Sequence, residues 1–280
     1  MKRVTRREFF TVGVGLTAVA GGLETICGCA TTETAKVETL DYPLLPYHKI
    51  QPPKEGCFVG FFSMYGITHL EKALSLKPSI FIAASKLYNK FPMAQVIDVA
   101  KRGIMSYLHV DIAPFDSIAP ISGFSVKEIA RGQQDGHIKE FAQYALEFGK
   151  EYRGFFFSTM VDMNGNWFSW GKNPNFIPAW RRIWQIFEDQ GTNQYATWVW
   201  VPYCPEASKQ HADNPELYYP GDKYVDWIGI NAFSVAGHPK VDNRLNVLMR
   251  ETYRQLFKNH QQKPFMMPWF ARTNVVCQEV

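Results

Sequence analysis

The sequence predicts a (β/α)8 TIM barrel, apparently lacking its last β/α unit. Seven apolar runs of strand length alternate with helical patterns, which is the element order of an α/β domain. No glycine-rich phosphate loop follows the first run, and this weighs against a nucleotide-binding open sheet. Seven such units in a single domain favour a barrel. The ten residues after Phe270 are too few for an eighth strand and helix, so the chain is a fragment or the barrel closes irregularly.

The predicted strands are short apolar runs, as expected for a parallel sheet that is covered on both faces. In chain order they are Phe58–Ser63, Ser79–Ala84, Ile104–Ile112, Gly154–Asp162, Ala196–Pro202, Val225–Asn231 and Pro264–Trp269. The clearest helices place apolar residues three and four positions apart. They are Gly136–Tyr152, Phe176–Asp189 and Asn243–His260.

Residues 1–29 are predicted to be an export signal. Basic residues precede a weakly apolar run, as in the n- and h-regions of such signals. Thr5-Arg6-Arg7-Glu8-Phe9-Phe10 resembles a twin-arginine signal, and Ile26-Cys27-Gly28-Cys29 resembles a lipobox with Cys29 as the acylated residue. A plain cleaved signal and an uncleaved anchor are the alternatives. We expect an exported protein of the cell envelope or the extracellular space, whose contact with the membrane would be a lipid anchor.

Residues 30–55 are rich in Thr, Glu, Lys and Pro, which indicates a tether. The barrel is therefore assigned to residues 56–280. A C-terminal truncation is one interpretation of the missing unit.

The formal net charge of +4 is small, and no dense Lys/Arg stripe appears, so nucleic acid is a poor partner. Aromatic residues make up 15% of the chain, which suits either a well-filled core or stacking platforms for sugars. We expect a monomer.

No metal site or cofactor is expected. Outside the signal, the cysteines are Cys57, Cys204 and Cys277, and neither they nor the scattered histidines show ligand spacing. An oxidising compartment would allow one disulfide among the three cysteines, but the sequence does not select the pair.

Asp162 is the leading candidate for a chemical role. It ends the fourth predicted strand, and the active sites of (β/α)8 barrels lie at the C-terminal ends of their strands. An Asn-Gly turn follows at Asn164 and Gly165, and Trp167 comes shortly after. A carboxyl group that can transfer a proton, beside aromatic rings that can stack on a sugar, suits the cleavage of a glycosidic bond. The alternative is an aspartate that only caps the next loop.

The segment Asp162–Trp170 resembles the acid/base segment of glycoside hydrolase family 26, which contains β-mannanases and some relatives acting on other β-glycans. Phe176–Phe187 is similar to the next helix, Trp198–Pro202 to the next strand, and Tyr218–Ile230 is the most specific match. The likeness covers roughly residues 55–271. It implies a barrel that acts on a polysaccharide or oligosaccharide, β-mannan or a related β-1,4-glycan. Asp162 would be the acid/base, and the residues around the sugar would be Asn164, Trp167, Trp170, Trp200 and Tyr203.

The chain departs from this family at both catalytic positions. Val161 and Asp162 stand where the family has His-Glu, and Trp269 stands where the family has its nucleophilic Glu. A retaining glycosidase needs two carboxyl groups about 5–5.5 Å apart, and an indole cannot form a glycosyl ester, so Trp269 is not competent. The carboxylates that could replace the nucleophile are Asp111, Glu206 and Asp226.

Two functional hypotheses therefore remain. The first is a glycosidase that uses Asp162 as its acid, and the second is a catalytically inactive barrel that binds glycan on the cell surface. A third interpretation, a fragment or damaged reading frame, comes from the missing eighth unit.

Overall fold

The computed structural model describes residues 49–63, 65–74, 78–113, 123–205, 212–235, 247 and 249–273. The predicted export signal with Cys29, most of the tether, Glu206, Cys277 and the predicted start of the third helix lie outside these residues. Within the described residues, no helix is long and apolar enough to cross a membrane.

The seven predicted strands form one parallel sheet. In chain order the strands are β1 (Gly60–Phe62), β2 (Ile80–Lys86), β3 (Met105–Asp111), β4 (Phe155–Thr159), β5 (Ala196–Trp200), β6 (Trp227–Gly229), β7 (Ala232–Val235), β8 (Phe265–Met266) and β9 (Phe270–Thr273). The sheet order is β1-β2-β3-β4-β5-β6-β8, and every neighbouring pair is parallel. The two remaining strands, β7 and β9, pair in parallel beyond the ends of β6 and β8. The sixth and seventh units thus each contain an interrupted strand.

α-Helices lie between most of the successive strands, on the outside of the curled sheet. They are α1 (Ile67–Leu74), α2 (Met93–Lys101), α3 (Val126–Ala130), α4 (Asp135–Tyr152), α5 (Phe176–Asp189) and α6 (Arg250–Asn259). The predicted helices correspond to α4, α5 and α6. The short α3 was not predicted, and it begins with a capping box in which Ser125 and Glu128 each bond the other's backbone N–H.

The outer core lies between the strands and the helices. Buried side chains of α5 recur at three- and four-residue spacing and include Trp180 and Phe187. The ring of Trp198 on β5 lies 5.3 Å from each of these two rings and 4.7 Å from Phe157 on β4. Because these outward-facing strand residues are as apolar as the inward-facing ones, both faces of the sheet are buried.

The inner core fills the barrel and includes Ile50, which closes its N-terminal end. Ile50 is 3% exposed and packs in one cluster with inward residues such as Tyr107 and Phe156. Its N–H donates to Thr197 Oγ1 at 2.7 Å, and its carbonyl accepts from Trp227 Nε1 at 2.9 Å. The first described residues of the predicted tether therefore contact the floor of the barrel.

Asp226 also lies at this floor, opposite the predicted active site. Its carboxylate accepts from Lys49 Nζ at 2.7 and 2.8 Å and from the backbone N–H of Trp198 at 2.8 Å. Asp226 is therefore not a replacement nucleophile.

Among the described strands, the sheet stays open between its edge strands β1 and β8. A cavity of about 410 Å³ lies on this side, lined mainly by apolar residues of the β1 and β8 regions and of the barrel interior, among them Phe58, Ile82, Tyr107 and Pro268. Seven parallel strands curled into an open barrel confirm the predicted fold class, a (β/α)8 barrel that lacks one unit.

Replacing Ile50 tests the closure of the floor. Ile50→Ala is expected to lower the free energy of unfolding by about 2–5 kcal/mol, because it leaves a cavity among inward side chains. Urea denaturation measures this loss. The control Val59→Ala changes a side chain that is half exposed, so its effect should stay within about 0.5 kcal/mol. Equal losses in the two variants would contradict the floor contact.

Candidate active site

Polar side chains gather at the C-terminal rim of the sheet. Parallel strands end at the same side of a barrel, and alternate residues point to the same face. The rim therefore brings together residues from the ends of six strands and the segments that follow them: Lys86, His109, Asp111, Ser158, Asp162, Tyr203, Asn231 and Trp269.

Asp162 lies in a turn directly after β4. Its φ of +56° is in the left-handed region, which aspartate tolerates better than most residues. The turn is held because the Asp162 N–H donates to Val201 O at 2.9 Å, while Gly165 N–H donates to Asp162 O at 2.9 Å. Asp162 is 3% exposed, and Asn231 Nδ2 donates to its carboxyl Oδ1 at 2.8 Å.

Burial raises the pKa of the Asp162 carboxyl to about 7. The hydrogen bond from Asn231, the neighbouring His109 and a hydrogen bond from Trp167 oppose this rise, and the nearby Asp111 adds to it. A carboxyl group with this pKa still holds its proton in much of the population near neutral pH. Asp162 can therefore act as a proton donor there.

Asp111 ends β3 and is completely buried. One of its oxygens, Oδ2, lies 3.1 Å from His109 Nε2 and 3.2 Å from Lys86 Nζ. Burial acts to raise the pKa of Asp111, but His109 and Lys86 outweigh it, so the pKa lies below its ordinary value. The rim thus holds one carboxyl group that keeps its proton and one that is ionised.

Asn164 joins two loops of the rim. Its Nδ2 donates to the carbonyls of Tyr203 and Asp213, both at 2.9 Å, and its Oδ1 accepts from Tyr203 N–H at 2.9 Å. The side chain is completely buried. These bonds occupy the amide with backbone, which does not fit the predicted contact with substrate. Asn164 instead positions the loop that carries Asp162.

Trp167 and Tyr203 are close to the acid. The Trp167 ring is half-buried and packs edge-on against the Tyr203 ring, with centroids 4.8 Å apart. Trp167 also folds back over Gly165, where an added Cβ would lie 2.3 Å from the indole. Glycine at this position lets the indole reach the Asp162 carboxyl.

Trp170 and Trp200 are both completely buried. Trp170 stacks on Phe168, with centroids 4.3 Å apart, and its indole N–H donates to Val161 O at 2.7 Å. Trp200 faces the helix layer and contacts Tyr219 edge-on at 5.1 Å. Neither ring presents a face to a sugar in this structure, so the predicted substrate contacts do not fit these two residues.

Trp269 lies at the rim, where the sequence predicts it in place of a nucleophile. Its half-buried ring is 5.0 Å from the Phe62 ring and 5.4 Å, edge-on, from the His109 ring. The indole nitrogen has no hydrogen-bond partner among the residues that the structure describes. An aromatic ring, not a carboxylate, thus fills this side of the site.

Lys86 and His109 were missed by the sequence reasoning. Lys86 lies just past the predicted end of its strand, and His109 was assigned to the scattered histidines. The sequence feature that could have revealed His109 is the alternation His109-Val110-Asp111, which puts two polar side chains on one face of an otherwise apolar strand. Across the described ranges, no group of three or more His, Cys, Asp or Glu side chains could hold a metal ion. Cys57 is an exposed free thiol.

The raised pKa of Asp162 predicts a pH-dependent stability cost. The folded protein keeps the Asp162 proton up to about pH 7, whereas the unfolded chain releases it near pH 4. Between these values the folded state binds more protons, so the free energy of unfolding falls as the pH rises. Asp162→Asn removes this titration. Its stability advantage over the wild type should grow from pH 4 to 7, by up to about 4 kcal/mol, and then level off.

Urea denaturation at pH 5, 6, 7 and 8 measures this advantage. Asp189→Asn, which changes an exposed carboxylate on α5, should show no comparable rise. An Asp162→Asn advantage that is constant over pH would contradict the raised pKa.

Comparison with known proteins matches part of this chain to a family. Residues 125–259 match the model of glycosyl hydrolase family 26. A relative named mannan endo-1,4-beta-mannosidase A and B, from Caldalkalibacillus mannanilyticus, is 30% identical over 104 residues, which is 33% of this chain and 19% of the relative. The chain thus matches about a fifth of that relative's length.

Solved structures share the fold. The GH26 domain of an endo-beta-mannanase/endo-beta-glucanase from Prevotella bryantii superposes with a TM-score of 0.60 at 15% identity, covering 78% of this chain and 77% of that one. The Bacillus subtilis mannanase man26 gives a TM-score of 0.57 at 17% identity, covering 79% and 74%. The matched segment contains Asp162, Asn164 and Asn231, and the barrel around it has the fold of these structures. Residues 125–259, just under half of the chain, therefore match glycosyl hydrolase family 26, and the described barrel shares the fold of the solved structures above.

Proposed function

We propose that this protein hydrolyses β-mannan or a related β-1,4-glycan, with Asp162 as the general acid. One observation carries the proposal: a buried carboxyl group with a pKa of about 7 lies at the barrel rim, inside the segment that matches the family. The names of the relatives, which are mannanases and an endo-mannanase/endo-glucanase, support the choice of substrate.

The acid would give its proton to the glycosidic oxygen as the bond to the anomeric carbon breaks. Asn231 holds one carboxyl oxygen of Asp162 at 2.8 Å and so limits its rotation. The Trp167 and Tyr203 rings lie beside the same carboxyl and can contact the apolar face of a pyranose. Burial keeps the acid protonated where an exposed aspartate would have lost its proton.

The second candidate is a barrel that binds glycan without cleaving it. It is favoured by Trp269, whose ring lies against His109 where the family resemblance implies a nucleophilic glutamate. An aspartate in place of a glutamate also sets the acid back by one methylene. A displacement of about 1 Å in a reacting group can cost on the order of a hundredfold in rate.

A hydrolysis assay separates these candidates. The wild type is expected to release reducing ends from β-mannan or mixed β-glucan, and Asp162→Asn should lower kcat by roughly 10²–10⁴-fold. Activity should decline as the pH rises through about 7, because Asp162 then loses the proton it must donate. Asp189→Asn should match the wild type.

Binding is measured in parallel by affinity electrophoresis on the same glycans. Glycan binding without release of reducing ends by the wild type would favour the second candidate. Turnover that survives in Asp162→Asn would reject Asp162 as the acid.

We also infer that the protein acts outside the cytoplasm and is held there by a lipid on Cys29. The basic start, the twin arginines and the lipobox-like Ile26-Cys27-Gly28-Cys29 support this. Cells fed radiolabelled palmitate should label the wild type and not Cys29→Ala, with the variant leaving the membrane fraction. Equal labelling of the two proteins would reject the anchor at Cys29.

A further inference from the structure

We propose that Asp111 is the second carboxylate of this site and acts as the general base that activates water for an inverting hydrolysis. The proposal rests on the proposed hydrolase function. It assigns to β3 the carboxylate that is absent at Trp269.

Strand register brings Asp111 and Asp162 to the same rim. His109 on β3 is the register partner of Ser158 on β4. Asp111 follows this pair by two residues at the end of β3, and Asp162 lies in the turn that directly follows β4. The two carboxyl groups are close enough for Asp111 to raise the pKa of Asp162.

The hydrogen bonds of Asp111 leave one oxygen available. Lys86 and His109 both bond to Oδ2, and His109 Nδ1 lies 3.4 Å from Ser158 Oγ. Oδ1 is buried and has no hydrogen-bond partner within the described ranges. A buried carboxylate oxygen with unused lone pairs can accept a hydrogen bond from water.

Trp269, at the position where the family resemblance implies the nucleophile, is linked to Asp111 through His109. Its ring contacts the His109 ring edge-on at 5.4 Å, and His109 in turn bonds to Asp111. Asp111 therefore lies next to the side of the site that lost its carboxylate.

The charge states of the two acids suit divided roles. At neutral pH Asp111 is ionised, because its interactions with His109 and Lys86 lower its pKa despite burial. Asp162 still carries its proton in much of the population. A glycosidase requires one carboxyl group to give a proton while the other receives one, and environments that move the two pKa values apart make this assignment.

The step balances as follows. Asp162 gives its proton to the glycosidic oxygen, and the bond between that oxygen and the anomeric carbon breaks with its electron pair going to oxygen. A water molecule attacks the anomeric carbon from the opposite face and gives one proton to Asp111 Oδ1. The products are a leaving-group alcohol and a sugar of inverted configuration. Exchange with solvent then restores both carboxyl groups.

The base role fits Asp111 better than a nucleophilic one. A nucleophile must itself reach the anomeric carbon, whereas Asp111 is completely buried and its Oδ2 is tied to two side chains. A general base acts through a water molecule and need not reach that carbon itself. Inverting enzymes separate their carboxyl groups by about 6.5–9.5 Å to admit a water molecule.

The first test is the configuration of the product released by the wild-type protein. Proton NMR during hydrolysis of a β-linked manno-oligosaccharide should show the α-anomer before mutarotation. A β-anomer as the first product would overturn the proposal. This measurement needs no variant and so does not depend on the folding of an altered site.

The second test compares variants on two substrates. Asp111→Asn should lose roughly 10²–10⁴-fold in kcat on both mannan and a dinitrophenyl β-mannobioside. Asp162→Asn should lose activity on mannan but stay within about tenfold of wild type on the dinitrophenyl substrate, whose leaving group needs no proton. Azide should restore turnover to Asp111→Ala by forming an α-glycosyl azide. Asp189→Asn is the matched control.

The outcomes distinguish the two proposals. A wild type that hydrolyses neither substrate rejects the hydrolase function, and the base with it. An active wild type whose Asp111→Asn variant keeps full turnover rejects the base alone. Circular dichroism and glycan affinity that match the wild type show that each variant has kept its fold.

Discussion

The site depends on the removal of charged groups from water at one end of a parallel sheet. Asp111 and Asp162 are both buried, but their carboxyl groups have different hydrogen-bond partners. Asp111 receives a cationic lysine and a histidine, whereas Asp162 receives a neutral amide from Asn231. A buried carboxylate that lacks a cation keeps its proton instead of its charge. Two side chains of the same type thus acquire different chemistry from their neighbours at the rim.

The fold could be predicted from the sequence because it depends on pattern. The apolar runs marked all seven units, and α5 begins and ends as its three- and four-residue spacing predicts. Strand direction and order then followed from the right-handed connections of β/α units. The interruption of the sixth and seventh strands was not predicted, because the apolar residues continue past the point where each strand stops pairing with its neighbours in the sheet.

The site was only partly predictable. Asp162 was predicted as a site residue because a polar residue at a strand end stands out, and in the structure it lies buried at the rim. Trp200 was misjudged, since both faces of a parallel sheet are apolar and parity alone cannot say which face is inside. The sequence suggested that the Trp170 ring could stack on a sugar. In the structure it stacks on Phe168 instead, a contact that the sequence does not reveal. The amide of Asn164 was assigned to a sugar because sequence does not reveal which backbone groups need a partner.

The contact of Lys49 and Ile50 with the barrel floor has a consequence for orientation. The chain enters the domain at the N-terminal end of the strands, and the acids lie at the opposite end. If Cys29 is held in a bilayer, its tether joins the barrel at the floor, so the attachment does not cover the rim. A long polymer could then reach the rim past the tether, and among the described residues the ion pair between Lys49 and Asp226 is the first contact along the chain that would bear a pull on the tether.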